Sequence, residues 1–436
     1  MLEPQFERLR SEVGDAVRQP DFVTVRRRAG RVRRRRAVAA GAAFLATVLT
    51  ATGLGYAVDR GPHERGVAGP VPAVSGVPDD GWPRMTSVTN AGTDLYGVLQ
   101  RCTTCALQLY VSSDGGASWQ RRTVPPDPEA PLGALFALAP HMVAWHEDGN
   151  APVYRPLNSA GPAVGQNPLA ADPLWITRDG GQTWRRAVVD TQPVTAVPEG
   201  TKPVDCALLH VSTCAVGVID PATGRFAPLA SQPTGITVRP GWASLVNVPL
   251  DGRLWVPGLD PVTNKPAVAT SSDAGRTWHT HVFTDGVAAV VDHGAVGVAY
   301  LPQVAAGSGE TAYVLTYRAD HVVDAHYTTD GGMTWRAGDT IRGVWWYEYI
   351  SLGFVAADGS HIVATGTGIN ATGTGFVVAA RGTGRYTPAT LSGYPVQPTQ
   401  KVQVISGQAA ERYLVTSLTG PYLSKDGRTW RRVLLP

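Results

Sequence analysis

Over most of the chain the apolar residues come in short, β-branched and aromatic runs. Asp94–Gln100 (DLYGVLQ), Ala106–Ser112 (ALQLYVS), Ala312–Tyr317 (AYVLTY) and Arg412–Ser417 (RYLVTS) read as strands. The 49 glycines and 34 prolines punctuate such runs, as a fold built from many short strands requires. No helical period recurs after residue 81. The first 81 residues follow a different pattern. Leu2, Phe6, Leu9, Val13 and Val17 line one face of a helix over 2–19 that Pro20 ends. Ala37–Val58 is a stretch of 22 residues without a charge, long enough to cross a bilayer as a helix. Residues 59–81 are a Gly/Pro-rich tether. The organisation expected is therefore 1–36, a basic segment carrying the amphipathic helix; 37–58, a transmembrane helix; 59–81, a linker; and 82–436, an all-β domain.

One eight-residue pattern recurs through the all-β part: Ser/Thr, any, Asp, any, Gly, any, Thr/Ser, Trp. It occurs at Ser112–Trp119, Thr177–Trp184, Ser271–Trp278 and Thr328–Trp335, and one residue shorter at Ser424–Trp430. The pattern resembles the Asp-box (BNR) repeat of sialidase-like β-propellers, where it forms the turn between the last two strands of a blade. The resemblance implies structural roles for Asp114, Asp179, Asp273, Asp330 and Asp426 as acceptors of backbone N–H bonds. Trp119, Trp184, Trp278, Trp335 and Trp430 would then fill the gaps between sheets. The gaps from 119 to 184, 184 to 278, 278 to 335 and 335 to 430 are 65, 94, 57 and 95 residues, so two are nearly double the shortest. Each long gap holds a degenerate copy, Asp220–Phe226 and Arg381–Tyr386, with Phe226 and Tyr386 in place of the tryptophan. Seven anchors at a spacing suited to four-stranded blades predict a seven-bladed propeller, with six blades as the alternative.

Charge sharpens the partition. Residues 1–36 hold 11 Arg against 5 acids, a net of +6; the whole chain carries +3, leaving −3 for residues 37–436. The arginines immediately before Ala37 predict a cytoplasmic N-terminus and an extracytoplasmic propeller. A cleaved signal peptide is the competing reading, with an unusually long charged leader. The basic excess therefore reads as a topology signal and does not call for nucleic acid. Arg outnumbers Lys 34 to 4, a GC-rich coding bias of the actinobacterial kind.

The four cysteines fall in two close pairs, each between strand-like runs. An exported domain permits disulfides, so Cys102–Cys105 and Cys206–Cys214 are expected as two local bridges. A redox C-x-x-C pair or a metal site is the alternative, but redox work usually needs the first cysteine at a helix N-terminus.

Catalytic candidates are weaker. The sialidase resemblance implies three arginines on a substrate carboxylate, a Tyr–Glu nucleophile pair and an Asp acid. Trp82-Pro83-Arg84-Met85 stands where that family places its first arginine and departs from its Phe-Arg-Ile-Pro-like motif; Tyr347-Glu348 is a bare neighbour pair. His146-Glu147-Asp148 and Asp292-His293 read as solvated loop groups, with no metal or cofactor expected. The candidate binding residues are Trp345, Tyr347 and Tyr349, which strand alternation puts on one face. The Pro/Gly/Ala-rich insertion 150–172 is a second candidate surface. The function expected is a membrane-tethered, non-catalytic binding or scaffold module for a protein, peptide or cell-surface glycan, with an exo-glycosidase of sialidase type as the alternative.

Overall fold

The computed structural model describes residues 83–436 apart from 103, 127–132, 148–173, 207–213, 240–241, 248–251, 290, 293–294, 297–300, 320, 345–352, 367–374, 396–401, 405–411 and 418–419. Contacts divide the chain into Met1–Ser75 and Gly76–Pro436, and every described residue belongs to the second unit. The expected amphipathic helix, membrane span and linker lie outside the described residues. Among the described residues no helix is long and apolar enough to cross a membrane.

Among the described residues the strands form seven blades, together with a two-stranded hairpin, Val291–Asp292 with Ala295–Val296, between blades 4 and 5. Blade 1 is the regular pattern: Arg84–Ala91, Asp94–Gln100, Gln108–Ser112 and Gln120–Arg122, each antiparallel to the next. Blade 2 repeats it over Gly133–Ala139, Met142–Glu147, Leu174–Thr177 and Arg185–Arg186. So do blade 5 (Gln303–Ala306 to Arg336–Arg342), blade 6 (Gly353–Val355 to Tyr386–Ala389) and blade 7 (Gln403–Val404 to Trp430–Arg432). His146 and Glu147 thus end a strand, and Asp292 lies in the hairpin, where loops were expected. Trp242–Leu245 forms a short 3-10 helix.

Two blades depart from the pattern. In blade 3 the Asp220–Phe226 turn joins the second strand, Val216–Ile219, to the third, Arg225–Pro228. The outermost place goes to Val188–Val189, which runs parallel to Arg225–Pro228. In blade 4 the strands Leu254–Leu259, Pro266–Ser271 and His279–Val282 form one sheet. Its innermost segment, Val246–Asn247, pairs instead in parallel with Gln303–Ala306 of blade 5.

The core lies between blades, one apolar layer per junction. Tyr96, Leu109 and Val111 of blade 1 meet Leu135, Val143 and Trp145 of blade 2. Phe226 of blade 3 packs among Met142 and Ile176 of blade 2, so this anchor occupies the site that a box tryptophan fills elsewhere. Because each sheet is covered on both faces, Asp94–Gln100 is buried at every position, and its sequence is a continuous run with no alternation. The ring closes where Met85, Val88 and Leu95 of blade 1 pack on Leu414, Leu423 and Val433 of blade 7. Each of these two sheets is made of one continuous stretch of chain, so closure is by face packing without exchange of a strand.

The box turns are closed circuits of hydrogen bonds. Ser112 Oγ donates to Asp114 and accepts from the Gly116 N–H, while Asp114 accepts from the N–H and the hydroxyl of Ser118. Thr177/Asp179/Thr183, Ser271/Asp273/Thr277 and Thr328/Asp330/Thr334 repeat the circuit. The turn needs two successive left-handed residues. These are Gly–Gly at 115–116, 180–181 and 331–332, but Ala274–Gly275 in blade 4, where Ala274 has φ 60°. Ala274→Gly is therefore expected to raise stability by about 0.5–1 kcal/mol, read as an increase in denaturation midpoint.

The box tryptophans also tie blades together. The indole N–H of Trp119 donates to Leu434 O, that of Trp184 to Thr123 O and that of Trp278 to Ser231 O, each on the preceding blade. Trp335 and Trp430 donate within their own turns, to Gly332 O and Gly427 O.

Candidate functional site

In a propeller the innermost strands converge on an axis, and a substrate or ligand pocket commonly opens there. Here, among the described residues, hydrogen bonds tie the inner strands of different blades together. Asn247, 3% exposed, reaches across from blade 4 and donates to Gly353 O of blade 6 at 3.3 Å and to Val402 O of blade 7 at 2.7 Å. Gln403 of blade 7 donates to Val88 O of blade 1 and accepts from Thr89 Oγ1. Ser87 Oγ accepts from the Leu135 N–H of blade 2, and the Lys202 N–H donates to Leu138 O. Most of these bonds pair a short or amide side chain with a backbone group, the pattern expected of buried polar groups that hold a fold together. No sequence signal marked Asn247, because its partners lie 106 and 155 residues away.

The box aspartates are spent where they stand. The Thr277 hydroxyl and N–H hold the Asp273 carboxyl down at about 2, and the Ser118 hydroxyl and N–H hold Asp114 well below the usual carboxylate range. A carboxylate this acidic, with its lone pairs taken by its own turn, is a poor proton donor at neutral pH. Asp179, Asp330 and Asp426 accept the same kinds of bond.

The degenerate anchor Tyr386 has its own partner. Its hydroxyl meets His361 Nδ1 at 2.6 Å, and the His361 ring stacks on Tyr313 at 4.4 Å between centroids. His361 is 1% exposed, and burial holds its imidazole down at about 3. Tyrosine replaces tryptophan here with a hydroxyl that serves a buried histidine.

Two disulfides are present, Cys102–Cys105 and Cys206–Cys214. Each precedes the strand that runs into a box turn, Gln108–Ser112 or Val216–Ile219, so both lie on the face opposite the box turns. Between them, in blade 2, the chain leaves that same face at Glu147 and returns at Leu174. The candidates Trp345, Tyr347 and Tyr349, the Tyr347-Glu348 pair and the whole 150–172 insertion lie outside the described residues. Among the described residues no group of three His, Cys, Asp or Glu side chains could hold a metal ion.

Seven inter-packed sheets, six of them with an Asp-containing turn, define a seven-bladed Asp-box β-propeller. Residues 326–337, which span the box of blade 5, match the BNR/Asp-box repeat. No curated protein matches the chain. Solved structures similar to it include YCF48 bound to D1 peptide, at 15% identity over 58% of this chain and 67% of that one, TM-score 0.29. The GH74 xyloglucanase from Xanthomonas campestris shares 13% identity over 82% of this chain and 49% of its own, TM-score 0.33. Trypanosoma rangeli sialidase in complex with the inhibitor DANA shares 10% over 78% and 54%, TM-score 0.33. The chain thus spans about half the length of the xyloglucanase and of the sialidase.

Proposed function

We propose that this propeller is a non-catalytic binding or scaffold module, tethered to the cell membrane through residues 37–58, that presents the face opposite its box turns to an extracytoplasmic protein, peptide or glycan. The observation that carries this reading is Asn247, whose buried side chain ties blade 4 to blades 6 and 7 among the innermost strands, the region where a channel-type enzyme would seat its substrate. The two disulfides support it further. They join neighbouring strands on one face of blades 1 and 3, and short-loop bridges add local order more than global stability. Ordered strand ends lose less entropy on binding a partner.

The full chain is expected to release no fluorophore from a panel of sialosides and aryl-glycosides above the rate of a box-disrupted Asp179→Ala control. Turnover that the control lacks would instead establish the exo-glycosidase reading. An alkaline phosphatase fusion at the C-terminus is expected to be active in cells, as an outward-facing propeller requires.

A further inference from the structure

The box turns and the outer strands that follow them carry very unequal charge around the ring. In blades 6, 7, 1 and 2 these segments are Arg381–Ala389, Ser424–Arg432, Ser112–Arg122 and Thr177–Arg186. Together they hold eleven Lys and Arg against three Asp. In blades 3, 4 and 5 the matching segments, Asp220–Pro228, Ser271–Val282 and Thr328–Arg342, hold four Arg against four Asp. Blades 7 and 1 are neighbours only because the ring closes, with Arg431 donating to Gly115 O at 2.9 Å and Trp119 to Leu434 O. Closure therefore joins basic segments from opposite ends of the chain into one belt over four consecutive blades. The net −3 of residues 37–436 conceals it.

The belt is exposed and level. Arg121, Arg186, Arg385 and Arg432, one on each blade, are all solvent-exposed and lie within two residues of the box anchor in their own blade. At about 3.3 Å per strand residue they fall in a band less than roughly 10 Å high. Each box Asp is engaged within its own turn, and Arg428 is paired with Asp358. Arg122, Arg185 and Arg431 donate to neutral oxygens, so the four segments keep eleven cations against their three box aspartates and Asp358, an excess that favours an external anion.

We infer that this belt is a binding surface for a flexible, linear acidic polysaccharide, distinct from the face opposite the box turns. Curvature selects the linear partner. Four of seven blades turn through about 150° between the first and last, so a planar bilayer touching one blade turns away from the others. Duplex DNA is too stiff to follow the arc, with a persistence length of about 50 nm. Single-stranded nucleic acid gains affinity from aromatic platforms, and here the rim rings are taken. Trp175 lies 5.4 Å under the Arg186 guanidinium, and Trp119 and Trp184 turn their N–H groups into neighbouring blades. Two disulfides fit an oxidising compartment, where acidic sugar polymers are the common polyanions.

The test compares full chains, so that the arginine run at 26–36 contributes equally to each. Binding to dextran sulfate and polygalacturonate is measured by calorimetry or biolayer interferometry at several salt concentrations. The quadruple variant R121Q/R186Q/R385Q/R432Q is expected to bind at least about tenfold more weakly, with a shallower salt dependence. The control R336Q/R342Q on blade 5 is expected to stay within about twofold of the parent chain. Melting curves matched to the parent establish that the belt variant is folded; if it melts early, the double variant R121Q/R432Q replaces it, with a loss of about threefold expected. Equal affinity of belt variant and parent would overturn the inference. So would tighter binding to poly-L-glutamate, oligo-dT or phosphatidylserine vesicles than to either polysaccharide. Neither result bears on the glycosidase assay above.

Discussion

Gly116→Ala is expected to cost about 2–5 kcal/mol. Two terms combine. Gly116 has φ +88°, a conformation L side chains rarely adopt, and a Cβ built there would sit 2.1 Å from Val433 Cγ1. Val433 is 1% exposed and belongs to the layer that closes the ring, so it has no free space to move into. Gly200→Ala separates the terms, because Gly200 has φ +72° with nothing within 4 Å of a built Cβ. That variant should lose only the backbone part, about 1–2 kcal/mol. The double variant Gly116→Ala/Val433→Ala should cost less than the sum of its singles, since truncating Val433 removes the clash and the new Cβ fills part of the cavity left behind. Urea denaturation of the parent and these four variants, Val433→Ala alone included, is the measurement. Equal losses at Gly116 and Gly200 would mean that blades 7 and 1 do not pack as described.

The second large effect is a loss of stability on mild acidification, centred on His361. Its imidazole is ordinary in the unfolded chain, at 6.5, and is held at about 3 in the folded protein by burial. Above pH 6.5 both states hold it neutral and its contribution does not change with pH. Below 6.5 the unfolded chain takes up a proton that the folded chain refuses, so stability falls as pH drops and the loss levels off only near 3. Between pH 6.5 and 4.5 this one group should cost about 2–3 kcal/mol. Burial also lowers His326 and His281, which adds to the slope in the same direction. His361→Phe keeps the stack on Tyr313 but leaves the Tyr386 hydroxyl without its partner. It should therefore be less stable than the parent at pH 7.5, yet lose less between pH 6.5 and 4.5. Parallel curves for the two proteins would remove His361 as the cause. The box carboxylates act lower down: Asp273 and Asp330, held at about 2, lose their contribution as pH falls from 3.8 through 2.

Much of the ring is legible in the letters of the chain. The box pattern marks the turns, and the aromatic residues Phe226 and Tyr386 mark the two blades whose turns have drifted, because a gap between sheets demands a large ring whatever its neighbours become. The cysteine pairs are legible because each bridge closes over a few residues. What escapes is set by distance. Val188–Val189 follows the last strand of blade 2 along the chain yet edges blade 3, a placement no sequence signal marks, since a parallel outer strand needs only an open edge and leaves no period. Asn247 carries no signature at all, because its role depends on carbonyls from two blades made much later in the chain. The basic belt lies between these cases. Its Arg-Arg pairs are visible one by one, but their adjacency across blades 7 and 1 is a property of closure.

The bond from Trp119 to Leu434 O spans 315 residues. A ribosome adds about 5–20 residues per second, so roughly 15–60 s separate the two partners during synthesis. For that interval Met85, Val88 and Leu95 have an apolar face and no cover, while blades 2 to 7 are still being made. The first blade to emerge is thus the last to be shielded, and a nascent chain of this protein must be kept from its neighbours until its final blade arrives.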